Sequence, residues 1–420
     1  MHDFILQSQP LPEPKIVLPT DALGPPQGPK KRLAAITTAY YKYSHADDLI
    51  TKFIEGFGMV GRIHEPHCEV VSLHVEQFVD RDIGRGMAAR YDIPLVDSAT
   101  AALTLGGQEL AVDGVVLIGE HGEFPINEKG QKLYPRRRLF EEIVNVFKSS
   151  GRTVPVFNDK HLSYDWSDAE WMYTQSKELG FPLMAGSSVP VAWRVPPLAF
   201  GEGVQLADAL SVYYVPDTED AVDYASYHTL EAMQALVERR PGGETGVAAV
   251  HLLEGEAAWR AAGEGHWSPQ LLGAALATVP AVDFETADVD FLRRADPNPV
   301  VVLVEYSDGF RAAAYLSRKP LVEDEFCFAA RLRGVDQPVA TWFRMVKPAR
   351  DHFSFLCNHI EVMFRTGKPS YPVERTYLVT GILAAAADSR FAGQQRVETP
   401  HLQKLGYQPV PETSYGAYSG

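Results

Sequence analysis

The sequence predicts an α/β domain built on a parallel sheet, followed by an α+β domain with a large, mostly antiparallel open sheet. Between residues 32 and 198, short wholly apolar runs alternate with segments of helical periodicity, the pattern of a parallel sheet covered on both faces. After about Leu198 the runs become longer and half polar, and Asp308-Gly309 between two of them is a hairpin signal. The first half therefore reads as Rossmann-like, and its ligands are expected beyond the carboxyl ends of the strands.

In chain order, residues 1–31 carry seven prolines from Pro10 to Pro29, which remove backbone donors and predict an extended arm. A strand follows at 33–36, then a helix at 47–57 on the apolar stripe Leu49, Ile50, Phe53, Ile54 and Phe57. Further strands are predicted at 70–73, 112–118, 154–157 and 182–185, with helices at 83–91, 138–148 and 168–179 between them. The second domain, 199–398, opens with a strand at 209–215 and a helix at 224–239, continues through strands at 246–253, 299–305, 310–316 and 325–332, and ends on helices at 353–366 and 375–387. Residues 399–420 form a tail.

Composition narrows the partners. Among 420 residues, 54 acidic against 39 basic side chains give a net charge of −15, which repels nucleic acid and anionic membrane surfaces. Cys68, Cys327 and Cys357 stand far apart, without zinc-ribbon spacing and in an odd number that suits a reducing compartment. Prolines stand where a signal peptide needs an apolar run, so a cytoplasmic location is expected.

Three strand ends carry the polar groups that chemistry needs. The turn after the first strand, Thr37 to His45, lacks the glycines that let amides approach a pyrophosphate; Lys42 and Ser44 could still hold an anion there, with Glu76 past the second strand as a ribose ligand. The strand ending at Ile118 runs into Glu120, His121 and Glu123, a set able to do acid/base work or hold a divalent ion. The next strand opens into Asn158-Asp159-Lys160-His161, where Asp159 would orient Lys160 as an acid. Arg194, after Ser187-Ser188, offers a planar grip on a carboxylate or phosphate, whereas Arg136 to Arg138 read as a basic helix start on the surface. His64-Glu65-Pro66-His67-Cys68 has ligand-type side chains, but its proline and its place before a strand mark a structural loop.

Asp159-Lys160-His161 resembles the Glu-Lys-Pro that follows the fifth strand in the glucose-fructose oxidoreductase, inositol dehydrogenase and rhizopine catabolism (Gfo/Idh/MocA) family. His228-Thr229-Leu230-Glu231 resembles that family's His-x-x-Asp, and Phe364-Arg-Thr-Gly-Lys-Pro369 its C-terminal pattern. The resemblance implies that Lys160 contacts a substrate hydroxyl, that His228 is the catalytic histidine and that Glu231 lies one helical turn away on the same face. It departs from the family in the missing glycine fingerprint, and in His161 where the family has proline.

Taken together, these readings predict an enzyme acting on a sugar, cyclitol or related polyhydroxylated acid in the cleft between the domains. Lys160, His228 and Asp159 would be catalytic; Glu123, Asn158, His161, Arg194 and Glu231 would bind substrate. Without the glycines, metal-assisted elimination, hydrolysis or isomerisation leads, with Glu120, His121 and His228 holding Zn or Mn. The alternative is NAD(P)-dependent oxidation of a secondary alcohol, the nucleotide held by Lys42, Ser44 and Glu76; a third is a silent sugar-binding or scaffold protein. A homo-oligomer is expected, because the second sheet has more apolar surface than one covering layer requires.

Overall fold

The computed structural model describes residues 18–59, 62–216, 218–279, 289–318, 325–345 and 350–411. The first half of the chain runs β1 (Lys31–Thr37), a π-turn (Asp47–Thr51) into α1 (Lys52–Glu55), the hairpin β2 (Phe57–Met59) and β3 (Arg62–His64), β4 (Cys68–Val75), α2 (Gly84–Arg90), β5 (Leu95–Val96), α3 (Ala99–Thr104), β6 (Gly114–Ile118), α4 (Arg136–Ser150), β7 (Val156–Asp159), α5 (Trp166–Leu179) and β8 (Leu183–Gly186). Six of these strands form one sheet in the order β5-β4-β1-β6-β7-β8, every neighbouring pair parallel. The order reverses between β1 and β6, which is where such sheets open a ligand crevice.

Alternation within β1 shows why its run had to be wholly apolar. Leu33 and Ala35 face one core with Phe353, Leu356 and Ile360, while Ala34 and Ile36 face another with Leu139, Phe140 and Ile143 of α4. The first of these cores is closed by a helix from far along the chain, α10 below, so the order of elements and their packing part company here.

The remaining elements are β9 (Trp193–Val195), β10 (Leu206–Tyr214), α6 (Ala221–Val237), β11 (Val247–Glu254), α7 (Glu256–Gly263), α8 (Pro269–Leu276), α9 (Val289–Ala295), β12 (Val300–Tyr306), β13 (Arg311–Ser317), β14 (Phe326–Leu332), β15 (Val339–Arg344), α10 (Asp351–Thr366), α11 (Val373–Phe391) and β16 (Val397–Glu398). Eight strands join in the order β16-β11-β12-β13-β10-β14-β15-β9; only β10 and β13 pair in parallel. The Asp308-Gly309 turn joins β12 to β13 as expected, with Gly309 at φ 83°. One face of this sheet packs on α6 and α11. The other, expected to be open toward a second subunit, is covered by Trp259, Leu271, Leu272 and Leu292 of α7, α8 and α9 and by Trp267 of the loop between α7 and α8. The surplus apolar residues are thus met by the chain's own short helices, which removes the ground on which an oligomer was expected.

The proline-rich arm was expected at 1–31; residues 1–17 lie outside the described residues. Leu18 is buried, and Thr20 exchanges hydrogen bonds with Asn358 of α10, its amide on Oδ1 at 3.3 Å and its hydroxyl accepting from Nδ2 at 2.7 Å. Of the tail, Leu402 and Tyr407 are buried, and residues 412–420 lie outside the described set. The loop at His64 to Cys68 is structural as read: the Glu361 carboxylate holds His64 Nε2 at 2.6 Å and the His67 amide at 3.1 Å. All three cysteines are free and buried. Among the described residues no helix is long and apolar enough to cross a membrane.

Candidate functional site

The carboxyl end of β7 delivers Lys160 through a turn that its backbone resists. Lys160 sits at φ 69°, in the left-handed region, and its amide donates to the Gly186 carbonyl at the end of β8 (3.1 Å). The carboxamide of Asn158 donates to the carbonyls of Asp159, Lys160 and His161 at 3.2–3.4 Å, clamping the turn. From the opposite sheet, α6 presents His228, whose Nε2 accepts a hydrogen bond from Lys160 Nζ. Left-handed backbone also holds Tyr43, His121 and Arg350, so four of the seven non-glycine residues with positive φ among the described residues gather around this point. Such clustering is characteristic of sites where geometry takes precedence over backbone preference.

A cavity of about 470 Å³ opens between the two sheets at this pair. Lys160, Ser187 and Ser188 line it from the parallel sheet, and His228, Tyr213 and Phe326 from the other. The β1 turn adds Tyr43 and His45, and the start of α10 adds Arg350, His352 and Phe353. Tyr213 and Phe326 stack with ring centroids 3.9 Å apart, giving the cavity one flat apolar wall.

Electrostatics keep the imidazoles neutral. Burial, reinforced by the charge of Lys160, holds His228 and His45 well below the ordinary histidine range. Burial likewise lowers His121 to about 4 and His161 to about 3. A neutral His228 that accepts at Nε2 carries its proton on Nδ1, an atom with no partner among the described residues. Burial pushes Asp159 up to about 7, and its Oδ2 lies 2.7 Å from His45 Nδ1. Burial also acts to raise Glu120, but Lys160 and Arg136 outweigh it and hold that carboxyl well below its usual range.

Of the residues expected in the site, Lys160 and His228 meet, and Asp159 stands directly behind them. Asp159 orients His45, however, rather than Lys160. Glu231 lies outside the cavity wall and accepts from both the amide (2.8 Å) and the hydroxyl (2.5 Å) of Ser187, so it positions the wall. The His161 ring is spent on Ser163 O (2.8 Å) and Arg136 Nη1 (2.9 Å). Arg194 is fully buried and donates to the carbonyls of Leu198 and Pro190 at 2.9 and 3.1 Å, away from the cavity. Glu123 is exposed; among the described residues only its backbone is held, by Gln77. The expected metal set does not assemble, because Glu120 is paired with Arg136 and His228 with Lys160. Among the described residues no three His, Cys, Asp or Glu side chains converge as metal ligands. Arg136, read from sequence as a surface residue, is 1 % exposed because this pairing draws it inward. His45, Arg350 and His352 were not anticipated; of these, only His45 carried a signal, as a polar side chain just past a strand end.

The crevice at the strand-order reversal does not fit a dinucleotide in the usual way. Thr38 ties the two strand ends together, its amide to Ile118 O (3.1 Å) and its hydroxyl to Glu120 O (2.6 Å). Tyr40 is wholly buried, its hydroxyl 2.8 Å from that of Thr51 and its ring against Gly84 at the start of α2. The rings of Tyr41 and His45 lie 5.4 and 5.2 Å from that of His121, edge to face across the two loops. The residues expected to hold a nucleotide are dispersed: Lys42 pairs with Asp47 at 3.0 Å, and the Ser44 hydroxyl accepts from the amides of Tyr41 and Asp47. Glu76 pairs with Arg138 at 2.5 Å and lines a separate polar groove of about 520 Å³ with Arg85 and Ser98.

No protein-family model and no curated protein sequence matches the chain. Solved structures do. GenD2 from gentamicin A biosynthesis, in complex with NAD, matches with a TM-score of 0.53 and 14% identity over 89% of this chain and 99% of its own. An Agrobacterium radiobacter oxidoreductase in complex with NAD+, L-tartaric acid and magnesium matches at 0.52 and 13%, covering 88% of this chain and 98% of its own. The myo-inositol dehydrogenase of Lactobacillus casei, in complex with NAD(H) and myo-inositol, matches at 0.51 and 11%, covering 88% and 97%. At these identities the likeness establishes the fold, and the fold is the one that the Gfo/Idh/MocA resemblance implies.

Proposed function

We propose that the chain is an enzyme of the oxidoreductase type, acting on a hydroxyl of a small polyhydroxylated substrate in the cavity between the sheets. The observation that carries this is the Lys160–His228 pair, an ammonium donor and a neutral imidazole acceptor meeting at the cavity wall. A hydroxyl entering between them would donate to His228 Nε2 and accept from Lys160 Nζ. The proton then passes to the imidazole while the ammonium stabilises the forming alkoxide. Glu231 fixes Ser187 beside the pair, and the His45–Asp159 bond holds the turn opposite. The dehydrogenases with the same fold favour alcohol oxidation among the reactions that begin from such an alkoxide. A nicotinamide nucleotide would supply hydride acceptance in that reaction. The crevice does not form the usual cradle for it, and Lys160 and His228 account for the proton alone.

The test is turnover of a panel of polyols and sugar acids with NAD+ or NADP+, followed by reduced-nucleotide absorbance and by substrate loss in NMR spectra. Lys160→Met and His228→Asn should each lower turnover at least about 10²-fold with the far-ultraviolet circular dichroism unchanged. Full turnover in Lys160→Met would overturn the assignment. The filled crevice favours a second reading, a binder that has lost turnover; substrate bound by the wild type but never consumed would decide for it.

A further inference from the structure

The cavity is cationic in a strongly acidic protein. The chain carries a net charge of −15, yet the charged side chains on the described cavity wall are those of Lys160 and Arg350, and no aspartate or glutamate is on it. The nearby carboxylates are already engaged. Asp159 is bonded to His45, Glu231 to Ser187, and Glu120 to Arg136. Lys160 feels Glu120 and Asp159 behind it, but among the described residues it forms no ion pair, its partner being the neutral His228. Arg350 Nη1 donates to the Tyr43 carbonyl and stands in ion-pair contact with Asp48 Oδ2, each at 2.8 Å, the guanidinium lies 5.2 Å from the Phe353 ring centroid, and Nε and Nη2 have no hydrogen-bond partner among the described residues. The remaining edge of that guanidinium is a planar two-donor fork, the geometry that grips a carboxylate or phosphate. Its backbone, at φ 51°, is one of the left-handed positions around the site.

We propose that the substrate is anionic, a polyhydroxylated molecule bearing a carboxylate or a phosphate ester, with Arg350 holding the anion while Lys160 and His228 meet a hydroxyl. This rests on the proposed function for the hydroxyl end and stands independently of it for the anion. Arg350 is then a specificity residue that the sequence did not reveal, brought to the cavity by the start of α10.

The experiment is calorimetric binding to the full chain at low ionic strength, using three ligands with one carbon skeleton: a neutral polyol, the corresponding aldonic acid and the polyol phosphate. At least one anion should bind tenfold or more tighter than the neutral polyol, and whichever anion binds tighter identifies the group recognised. Arg350→Gln should abolish the difference by weakening the anion without changing the neutral ligand. Arg350→Lys, which keeps a charge for Asp48 but loses the fork, should retain only part of it and guards against misfolding of the glutamine variant. Equal affinity for neutral and anionic ligands would overturn the proposal, as would an anion preference that survives in a folded Arg350→Gln protein. Anion-selective binding without turnover of any panel member would instead sink the proposed reaction and leave this inference standing.

Discussion

Buried ionisable groups at the site make stability depend on pH in a direction that can be worked out residue by residue. His121 and His161 have folded pKa values near 4 and 3, and His45 and His228 are also depressed, in each case chiefly by burial. Between those values and the ordinary 6.5 the unfolded chain binds more protons, so stability rises with pH across that window. Asp159 and Asp223, pushed up to about 7 by burial, act with the opposite sign between the ordinary aspartate value and 7, where the folded state binds more protons. Asp48, pushed up to about 6, and Glu231, also raised by burial, act with the same sign as those aspartates. Four histidines thus face four carboxyls, and the informative quantity is the change that a single substitution makes to the slope of melting temperature between pH 4 and 6.5. In Asp159→Asn, which can still hydrogen-bond His45, one opposing share is gone and the slope becomes more positive than in the wild type. An unchanged or more negative slope in this variant would show that Asp159 is ionised in the fold across that range. Lys160 could be singled out from sequence because a strand end defines its position locally, and His228 because His228-Thr229-Leu230-Glu231 resembles a family pattern. Arg350 and Arg136 could not, since their places depend on partners 302 and 16 residues away, Asp48 and Glu120.

At the scale of elements, the end of β8 is the tightest constraint around the cavity. Gly186 has φ 130°, and a Cβ there would lie 2.5 Å from Glu231 Oε1 and 3.1 Å from Thr376 Oγ1. Glu231 is the acceptor that fixes Ser187, so Gly186→Ala should move the cavity wall as well as strain the backbone. We expect a loss of about 2–3 kcal/mol in chemical denaturation together with a raised KM, since strain and a displaced buried carboxylate both apply. Wild-type stability in this variant would mean that β8 yields freely. The strands themselves were legible, because a parallel strand buried on both faces must be apolar throughout, as β6 is from Gly114 to Ile118. The short helices α7, α8 and α9 were not, since each spans about two turns and has too few residues to display a helical period. The hairpin β2–β3 escaped for the same reason, having three residues a side.

The whole molecule depends on α11, which packs against α5 and β8 of the first sheet and against α6 and β11 of the second. Tyr377 of this helix is stacked between Trp166 and Tyr173, with centroids 4.6 and 4.4 Å away. Thr376 donates to Ala185 O at 2.8 Å, and the Thr380 hydroxyl accepts from the Leu162 amide at 3.2 Å. On its other side Arg375 meets Glu238 in a fork of 2.8 and 2.5 Å, both side chains being at most 3 % exposed, and Tyr407 of the tail donates to the same carboxylate at 2.8 Å. The cavity lies between the two sheets, so the alignment of Lys160 with His228 relies on this joint. Removing one partner of a buried pair leaves the other charge uncompensated, so Arg375→Met should cost about 3–5 kcal/mol. Replacing both, in Arg375→Met with Glu238→Leu, removes the stranded charge and should recover most of that loss, the remainder being the tyrosine hydroxyl left without its acceptor. Chemical denaturation of the two single variants and the double measures this coupling directly. If the double variant regains stability but not turnover, the pair is required for the alignment of the halves rather than for their cohesion; if the single variant loses nothing, α11 is not the joint that sets the site.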